Sequence, residues 1–225
     1  MGELAPIDTL PVHTLATVRG LRHWIVETPK QARRFLKAAG VALRDHALDI
    51  KVLDEHTPDS RLPELLAPAH AGFDIGILSD AGCPAVADPG ARLVRLAHAH
   101  ALTVVPMVGP SSILLALMGS GLTGQRFVFH GYLPIESSER AKALRDLERA
   151  SAERDQTQIV IETPYRNQQL FTAMLSTCRD RTALCIAIDL TLPSQSISTR
   201  TIVQWRAAPP SLDKRPAVFL INASI

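Results

Sequence analysis

An α/β fold built from two α/β domains is the architecture this sequence predicts. Three observations lead there. Up to about residue 107, short apolar runs alternate with amphipathic helical stretches, the pattern of βα units on a parallel sheet. The segment Ser79-Asp80-Ala81-Gly82-Cys83-Pro84-Ala85-Val86-Ala87-Asp88-Pro89-Gly90 follows one such apolar run, Ile75-Gly76-Ile77-Leu78, and leads into a helical pattern. Beyond Ser138 the rhythm changes, and several apolar runs follow one another with little helix between them, which indicates a mixed sheet with antiparallel members.

The elements of the first half read in order. Strands are expected at Trp24–Glu27, Asp49–Leu53, Asp74–Leu78 and Thr103–Met107, and helices at Lys30–Ala39, Arg61–Ala69 and Ala91–His100. Asp88 is placed as the N-cap of the last of these helices, with Pro89 at its first position. Gly109-Pro110-Ser111-Ser112 then opens a wholly apolar helix, Ile113 to Met118, that Gly119 and Gly121 stop. The domain boundary is set at this element, giving an N-terminal domain over 1–110 with a parallel sheet and a C-terminal domain over 111–225 with a mixed sheet. In the second half, Phe127–Leu133 reads as strand, Ser138–Ala152 as helix, Thr157–Glu162 as strand and Tyr165–Thr177 as helix. Strands at Thr182–Asp189, Ile197–Gln204 and Ala217–Asn222 complete it.

Composition narrows the function classes. The chain has 225 residues, 46% hydrophobic, enough apolar material for a sizeable core. Aromatic residues are only 4%, so base stacking has few side chains to use, and a net charge of +2 permits nucleic-acid binding without arguing for it. Cys83, Cys178 and Cys185 have no metal-ligand spacing and read as reduced thiols of a cytoplasmic protein. The eight histidines are scattered, with His98 and His100 on a surface helix, so no metal site is expected. No signal peptide is visible, and no apolar run approaches the ~18 residues of a membrane span.

The loop after Leu78 is the strongest candidate site. Ligands of open α/β sheets sit beyond the carboxyl ends of the strands, and the small residues there let a ligand lie against the backbone. The junctions Ile25-Val26-Glu27-Thr28-Pro29-Lys30 and Val160-Ile161-Glu162-Thr163-Pro164-Tyr165-Arg166 echo each other. In each, an apolar strand ends in Glu, Thr can cap a helix and Pro can open it. Glu162 reads as a base or orienting acceptor, or as the i,i+4 ion-pair partner of Arg166. Arg166 reads as a phosphate or substrate contact or a solvated helix arginine, and Glu27 as a weaker catalytic candidate. Asp80 either holds ligand groups or orders its own loop, and Cys83 fills a threonine-sized niche. The mixed charges from Ser138 onward, among them Arg140 and Glu148, indicate a solvated face. Arg33, Arg34, Lys37 and Arg44 form the best basic patch for RNA.

Five motifs stand in a telling order: the loop Ser79–Gly90, Pro106-Met107-Val108-Gly109-Pro110-Ser111-Ser112, Ser120-Gly121-Leu122, Gln125-Arg126-Phe127-Val128-Phe129-His130-Gly131-Tyr132-Leu133-Pro134 and Glu162-Thr163-Pro164-Tyr165-Arg166. Together they resemble the tetrapyrrole methylase superfamily, and within it the branch that methylates ribosomal RNA, where S-D-A-G-T-P…S-D-P-G, P-G-P-S-A, S-G-L, R-F-x-F-x-G-F-L-P and E-S-P-x-R occupy the same order. The resemblance covers nearly the whole chain from about residue 24. It implies a homodimeric methyltransferase that holds S-adenosylmethionine in a cleft between two α/β domains. Ser79, Asp80, Ala81, Gly82, Cys83, Pro84, Val108, Gly109, Ser111, Ser112 and Thr163 would contact this donor. Glu162, Arg166 and Glu27 would be the catalytic set. The expected acceptor is a ribose 2′-hydroxyl of ribosomal RNA, with the RNA or the small ribosomal subunit as partner. The alternatives are a non-catalytic relative that binds RNA or a small ligand, and a tetrapyrrole C-methyltransferase. Three departures from the family pattern mark this chain as a side branch. A first strand and turn of the type L-Y-x-x-P-T-P-I-G would precede Met1, Glu27-Thr28-Pro29-Lys30 stands where the ribosomal enzymes carry E-D-T-R, and Asp189-Leu190-Thr191-Leu192 stands for E-L-T-K.

Overall fold

The structure, a computed structural model, describes residues 6–42, 48–212 and 214–224. The chain divides into two compact units, Leu4–Ser111 and Ser112–Ile225.

The N-terminal unit runs α1 (Pro6–Thr9), α2 (Val12–Gly20), β1 (His23–Val26), α3 (Pro29–Ala38), β2 (Asp49–Val52), a 3-10 turn at Asp59–Arg61, α4 (Leu62–Leu65), α5 (Ala67–His70), β3 (Ile75–Leu78) and α6 (Gly90–Ala99). Its sheet is parallel, in the order β2-β1-β3, with His23 level with both Asp49 and Ile75. The central strand alternates its side chains between two cores. Trp24 and Val26 pack with Leu15 and Val18 of α2 and with Ala32 and Leu36 of α3. Ile25 faces the other way, toward Leu62 and Leu65 of α4 and Leu93 and Ala97 of α6. Thr28 is the N-cap of α3 and Pro29 its first residue, as the sequence indicates.

Four readings are corrected here. The stretch Arg61–Ala69 is not one helix: α4 ends at Leu65 and α5 begins at Ala67, because Pro68 cannot donate the amide that would continue the first helix. The N-cap of α6 is Pro89 rather than Asp88, one residue later than expected, and the helix runs Gly90–Ala99. Asp88 still serves the helix start, since its Oδ1 accepts from the Gly90 and Ala85 N–H groups at 2.7 Å each. Thr103–Met107 is not a strand. Leu102 and Val104 lean on the core while Val105 is 67% exposed, so the segment has strand-like alternation. No described strand lies alongside it, and without a ladder the alternation does not make a strand. Helices α1 and α2 lie outside the expected elements; the signal for α2 is Leu15 and Val18 at i,i+3 before Gly20.

The C-terminal unit runs α7 (Ser112–Ser120), β4 (Phe127–Tyr132), α8 (Ser137–Arg154), β5 (Thr157–Ile161), α9 (Asn167–Thr177), β6 (Ala183–Ile188), β7 (Ser196–Thr201), α10 (Ile202–Ala207) and β8 (Ala217–Asn222). The sheet order is β4-β5-β8-β6-β7; β4 and β5 are parallel and the other pairs antiparallel, the mixed sheet the sequence indicates. Leu184, Ile186, Phe219 and Val160 face a core shared with Leu144 of α8 and Phe171 and Met174 of α9. Cys185, Leu220 and Ile159 face Ala116 and Leu117 of α7.

Further corrections belong to this unit. The stretch Ile197–Gln204 is not all strand, because Thr201 and Gln204 form a reciprocal capping box that starts α10. Gly119 lies inside α7 rather than ending it, and Gly121, with φ +69°, makes the stop. Helix α9 begins at Asn167, so Thr163-Pro164 forms a turn and the echo with Thr28-Pro29 holds only for the strand ends. On α8, Arg140 and Glu148 are buried rather than solvated: Arg140 Nη1 donates to the Ile135 carbonyl at 2.8 Å, and Glu148 Oε1 accepts from the Arg179 N–H at 2.8 Å and the Thr182 hydroxyl at 2.5 Å. Among the described residues, no helix is long and apolar enough to cross a membrane.

Candidate functional site

In the N-terminal unit, the carboxyl ends of β1 and β3 bring Glu27, Thr28 and the loop from Ser79 together. Asp80 is the knot. Its Oδ1 accepts from the Thr28 N–H at 3.2 Å, and its Oδ2 accepts from the Thr28 hydroxyl at 2.6 Å and the Gln31 amide at 3.2 Å. One carboxylate therefore ties the end of β3 to the start of α3. Thr28 and Gln31 escape sequence reasoning as site residues because the contact spans 52 and 49 positions, which no local pattern reveals.

Beyond Asp80 the loop is shaped by its backbone. Gly82 has φ +73°, and Ala85 and Ala87 also lie in the left-handed region, with φ of 66° and 57°. That conformation is sparse for a residue with a Cβ, and Asp88 holds it in place through the Ala85 N–H. A Cβ on Gly82 would meet nothing within 4 Å, so the space above it is open. Cys83 Sγ contacts the Pro110 carbonyl at 3.5 Å, which joins this loop to the Val108–Ser111 turn. The Val108 carbonyl accepts from the Thr14 hydroxyl at 2.8 Å, while its side chain is exposed. Gly109 is held close to Leu10, whose Cδ2 would lie 3.3 Å from an added Cβ. Ala81 and Pro84 are exposed, and the Ser79 hydroxyl is buried without a partner.

The same edge is acidic. Burial first, then the carboxylates of Asp88 and Asp80, push the Glu27 carboxyl above its ordinary 4.5. A shallow hollow here is lined by Ile25, Glu27, Leu53, Ile77, Asp88 and Gly90. Small residues, an orphaned hydroxyl and a carboxylate that burial disfavours make an edge suited to a ligand that carries positive charge. On α3, which begins at Pro29, Lys30, Arg33, Arg34 and Lys37 are exposed and no acid lies in the first turn. Arg44 of the expected basic patch lies outside the described residues.

In the C-terminal unit, Glu162 follows the last residue of β5, with its side chain 5% exposed. Its Oε1 accepts from Arg166 Nη2 at 2.7 Å and from the Thr163 N–H at 2.7 Å. The i,i+4 ion pair is therefore present. Arg166 Nε and Asn167 Oδ1 are buried without partners. The Asn167 amide donates to the Arg215 carbonyl at 2.6 Å, and Arg215 Nε donates to Asp189 Oδ2 at 2.9 Å. Asn167, Arg215 and Asp189 thus form a chain of contacts, beginning at the residue after Arg166, that short-range spacing does not show. Ser112 opens α7.

No family model matches the chain. A protein named ribosomal RNA small subunit methyltransferase I from Mesorhizobium japonicum is 33% identical over 202 residues, covering 90% of this chain and 65% of the relative. A Synechocystis protein of the same name is 34% identical, covering 85% of this chain and 63% of the relative. One from Vibrio cholerae is 27% identical, covering 99% and 74%. The chain spans a little under two thirds of the length of the first two. Among solved structures, the methyltransferase CobJ superposes with a TM-score of 0.62 at 18% identity, covering 96% of this chain and 88% of that one. The cobalt precorrin-4 methyltransferase CbiF gives 0.61 at 11%, covering 96% and 90%. The fold is accordingly that of the tetrapyrrole methylases, with two α/β domains. In sequence, the chain is similar to these proteins named ribosomal RNA small subunit methyltransferase I over 90%, 85% and 99% of its own length.

Proposed function

We propose that the chain is an S-adenosylmethionine-dependent methyltransferase whose acceptor is a ribose 2′-hydroxyl of ribosomal RNA. The observation that carries this reading is alignment along nine tenths of the chain with relatives named for small-subunit ribosomal RNA methylation. The N-terminal edge fits the donor, since the space over Gly82 is open, the Ser79 hydroxyl lacks a partner, and three carboxylates favour a positive group. When bound, S-adenosylmethionine supplies a methyl group on a positively charged sulfur.

The chain's own residues divide the remaining work. Ser79, Ala81, Gly82, Cys83 and Pro84, with Val108, Gly109 and Ser111, provide the backbone-lined bed for the donor. Asp80 acts by fixing that bed to α3, because its oxygens are taken up by Thr28 and Gln31. A 2′-hydroxyl is a weak nucleophile, so a group must take its proton. Glu27 suits this role, because burial and the carboxylates of Asp88 and Asp80 make its carboxylate hold a proton more readily than an ordinary one, and its side chain is half-buried rather than sealed. Glu162 is an orienting group, since Arg166 and the Thr163 N–H occupy its Oε1. The exposed bases of α3 supply phosphate contacts that weaken as salt rises.

The resemblance further supports a homodimer in the cytoplasm, and sedimentation at micromolar concentration would check the dimer. The deciding experiment for the activity is transfer of labelled methyl to small ribosomal subunits. Subunits from cells lacking the gene should label strongly and those from normal cells weakly. Equal labelling of both rejects this acceptor. Absence of S-adenosylmethionine binding in calorimetry rejects the methyltransferase reading itself.

A further inference from the structure

The N-terminal unit carries a second constellation, away from the loops at the carboxyl ends of β1 and β3. His70 is the last residue of α5, and His100 is the C-cap of α6. Thirty positions apart in sequence, their rings meet: His70 Nε2 lies 3.0 Å from His100 Nδ1, with ring centroids 5.1 Å apart and planes inclined at 46°. Both residues are exposed.

We propose that the facing nitrogens of His70 and His100 chelate one divalent transition-metal ion of the zinc, nickel or copper class. Two imidazole nitrogens bound to one such ion at about 2.0–2.1 Å each stand about 3 Å apart when adjacent in the coordination sphere. The observed nitrogen spacing of 3.0 Å meets that requirement, and the two exposed rings need only tilt for their lone pairs to converge on one ion. Between two neutral rings, the proton that the facing nitrogens share moves through solvent to the far nitrogen of the ring that donated it, so that each imidazole carries its one N–H on the far side, His70 at Nδ1 and His100 at Nε2. Imidazole is a ligand for this class of metal and a poor one for magnesium or calcium.

The backbone holds both rings at fixed helix ends. The His100 N–H donates to the Leu96 and Ala97 carbonyls at 3.1 and 3.2 Å, and the Leu102 N–H returns to the Ala97 carbonyl at 2.9 Å. After His70, the Phe73 N–H returns to the Pro68 carbonyl at 3.0 Å. The C-terminal end of α6, a ten-residue helix, adds a negative partial charge beside the ion. No group of three or more His, Cys, Asp or Glu side chains is placed to hold a metal ion among the described residues, so water completes the coordination sphere. Bound this way, the ion ties the end of α5 to the end of α6 across the turn that leads into β3.

The test uses the full chain with zinc in calorimetry and copper(II) in electron paramagnetic resonance. The proposal expects one equivalent of zinc, a copper spectrum with two equatorial nitrogens, and a melting temperature that zinc raises. His70→Ala and His100→Ala should each weaken zinc binding tenfold or more and abolish the rise in melting temperature. His98→Ala, on the same helix, should match the parent chain. All three positions are exposed, and circular dichroism verifies that each variant folds. Absence of binding overturns the proposal, as does binding that survives both His70→Ala and His100→Ala. None of these readings depends on methyl transfer, so the result stands apart from that of the methylation assay.

Discussion

At the scale of single residues, the carboxylates at the ends of β1 and β3 have separable duties. Asp80 receives three donors from Thr28 and Gln31, so Asp80→Ala should destabilise the chain by about 2 kcal/mol, the range for hydrogen bonds to a charged group. The midpoint of urea unfolding measures this. Glu27 behaves oppositely. Its folded-state carboxyl is raised above 4.5, so the folded chain holds that proton more tightly than the unfolded chain does. The resulting stability is fully present below the unfolded value and is lost as pH rises through the folded one. Glu27→Gln should therefore raise the urea midpoint at pH 7 relative to the parent, while a smaller gain or none appears at about pH 4. A gain of equal size at both pH values would show that ionisation is not the cause. If Glu27 takes the acceptor's proton, the same variant loses turnover while it gains stability.

At the scale of elements, two glycines make opposite forecasts. A Cβ on Gly76 of β3 would sit 2.4 Å from the Trp24 ring on β1, a rigid neighbour locked in the core, so Gly76→Ala should cost about 1–3 kcal/mol or more. A Cβ on Gly119 of α7 would meet the tip of Ile197 at 2.5 Å, which can swing aside. Alanine also favours a helix interior by about 1 kcal/mol, so Gly119→Ala should be near neutral. Thermal unfolding of the two variants side by side checks the contrast. The same elements show what is legible in the sequence. Strands β1, β2, β3, β5 and β6 are visible there within a residue or so, because an apolar run bounded by turn residues is a local signal. The unpaired stretch at Thr103–Met107 and the helix α10 are not, since the first depends on whether a neighbour lies alongside and the second on one capping box inside a strand-like run. Site residues divide in the same way. The small-residue loop and the Glu162–Arg166 pair can be read from spacing, whereas the Asp80–Thr28 tie and the Asn167–Arg215–Asp189 network exist only through long-range contacts.

At the scale of the molecule, mild proteolysis should cut the chain first just before the boundary of its two units. Val105 and Val108 are 67% and 71% exposed, and Thr103–Met107 has no ladder to protect it. Thermolysin, which cuts before apolar residues, should cleave first between residues 103 and 109, and mass spectrometry of the fragments identifies the site. First cleavage inside α8 or β8 would contradict this. The sheet of the C-terminal unit has a different consequence, one that concerns its making. Strand β8 is the last of that sheet in chain order, yet it lies at the centre, with β5 on one side and β6 on the other. While the polypeptide is being synthesised, β5 and β6 leave the ribosome with no strand to join them, and they wait until residue 222 has cleared the exit tunnel. The C-terminal unit therefore closes only after nearly all of it has been translated, whereas β1, β2 and β3 can assemble while translation continues.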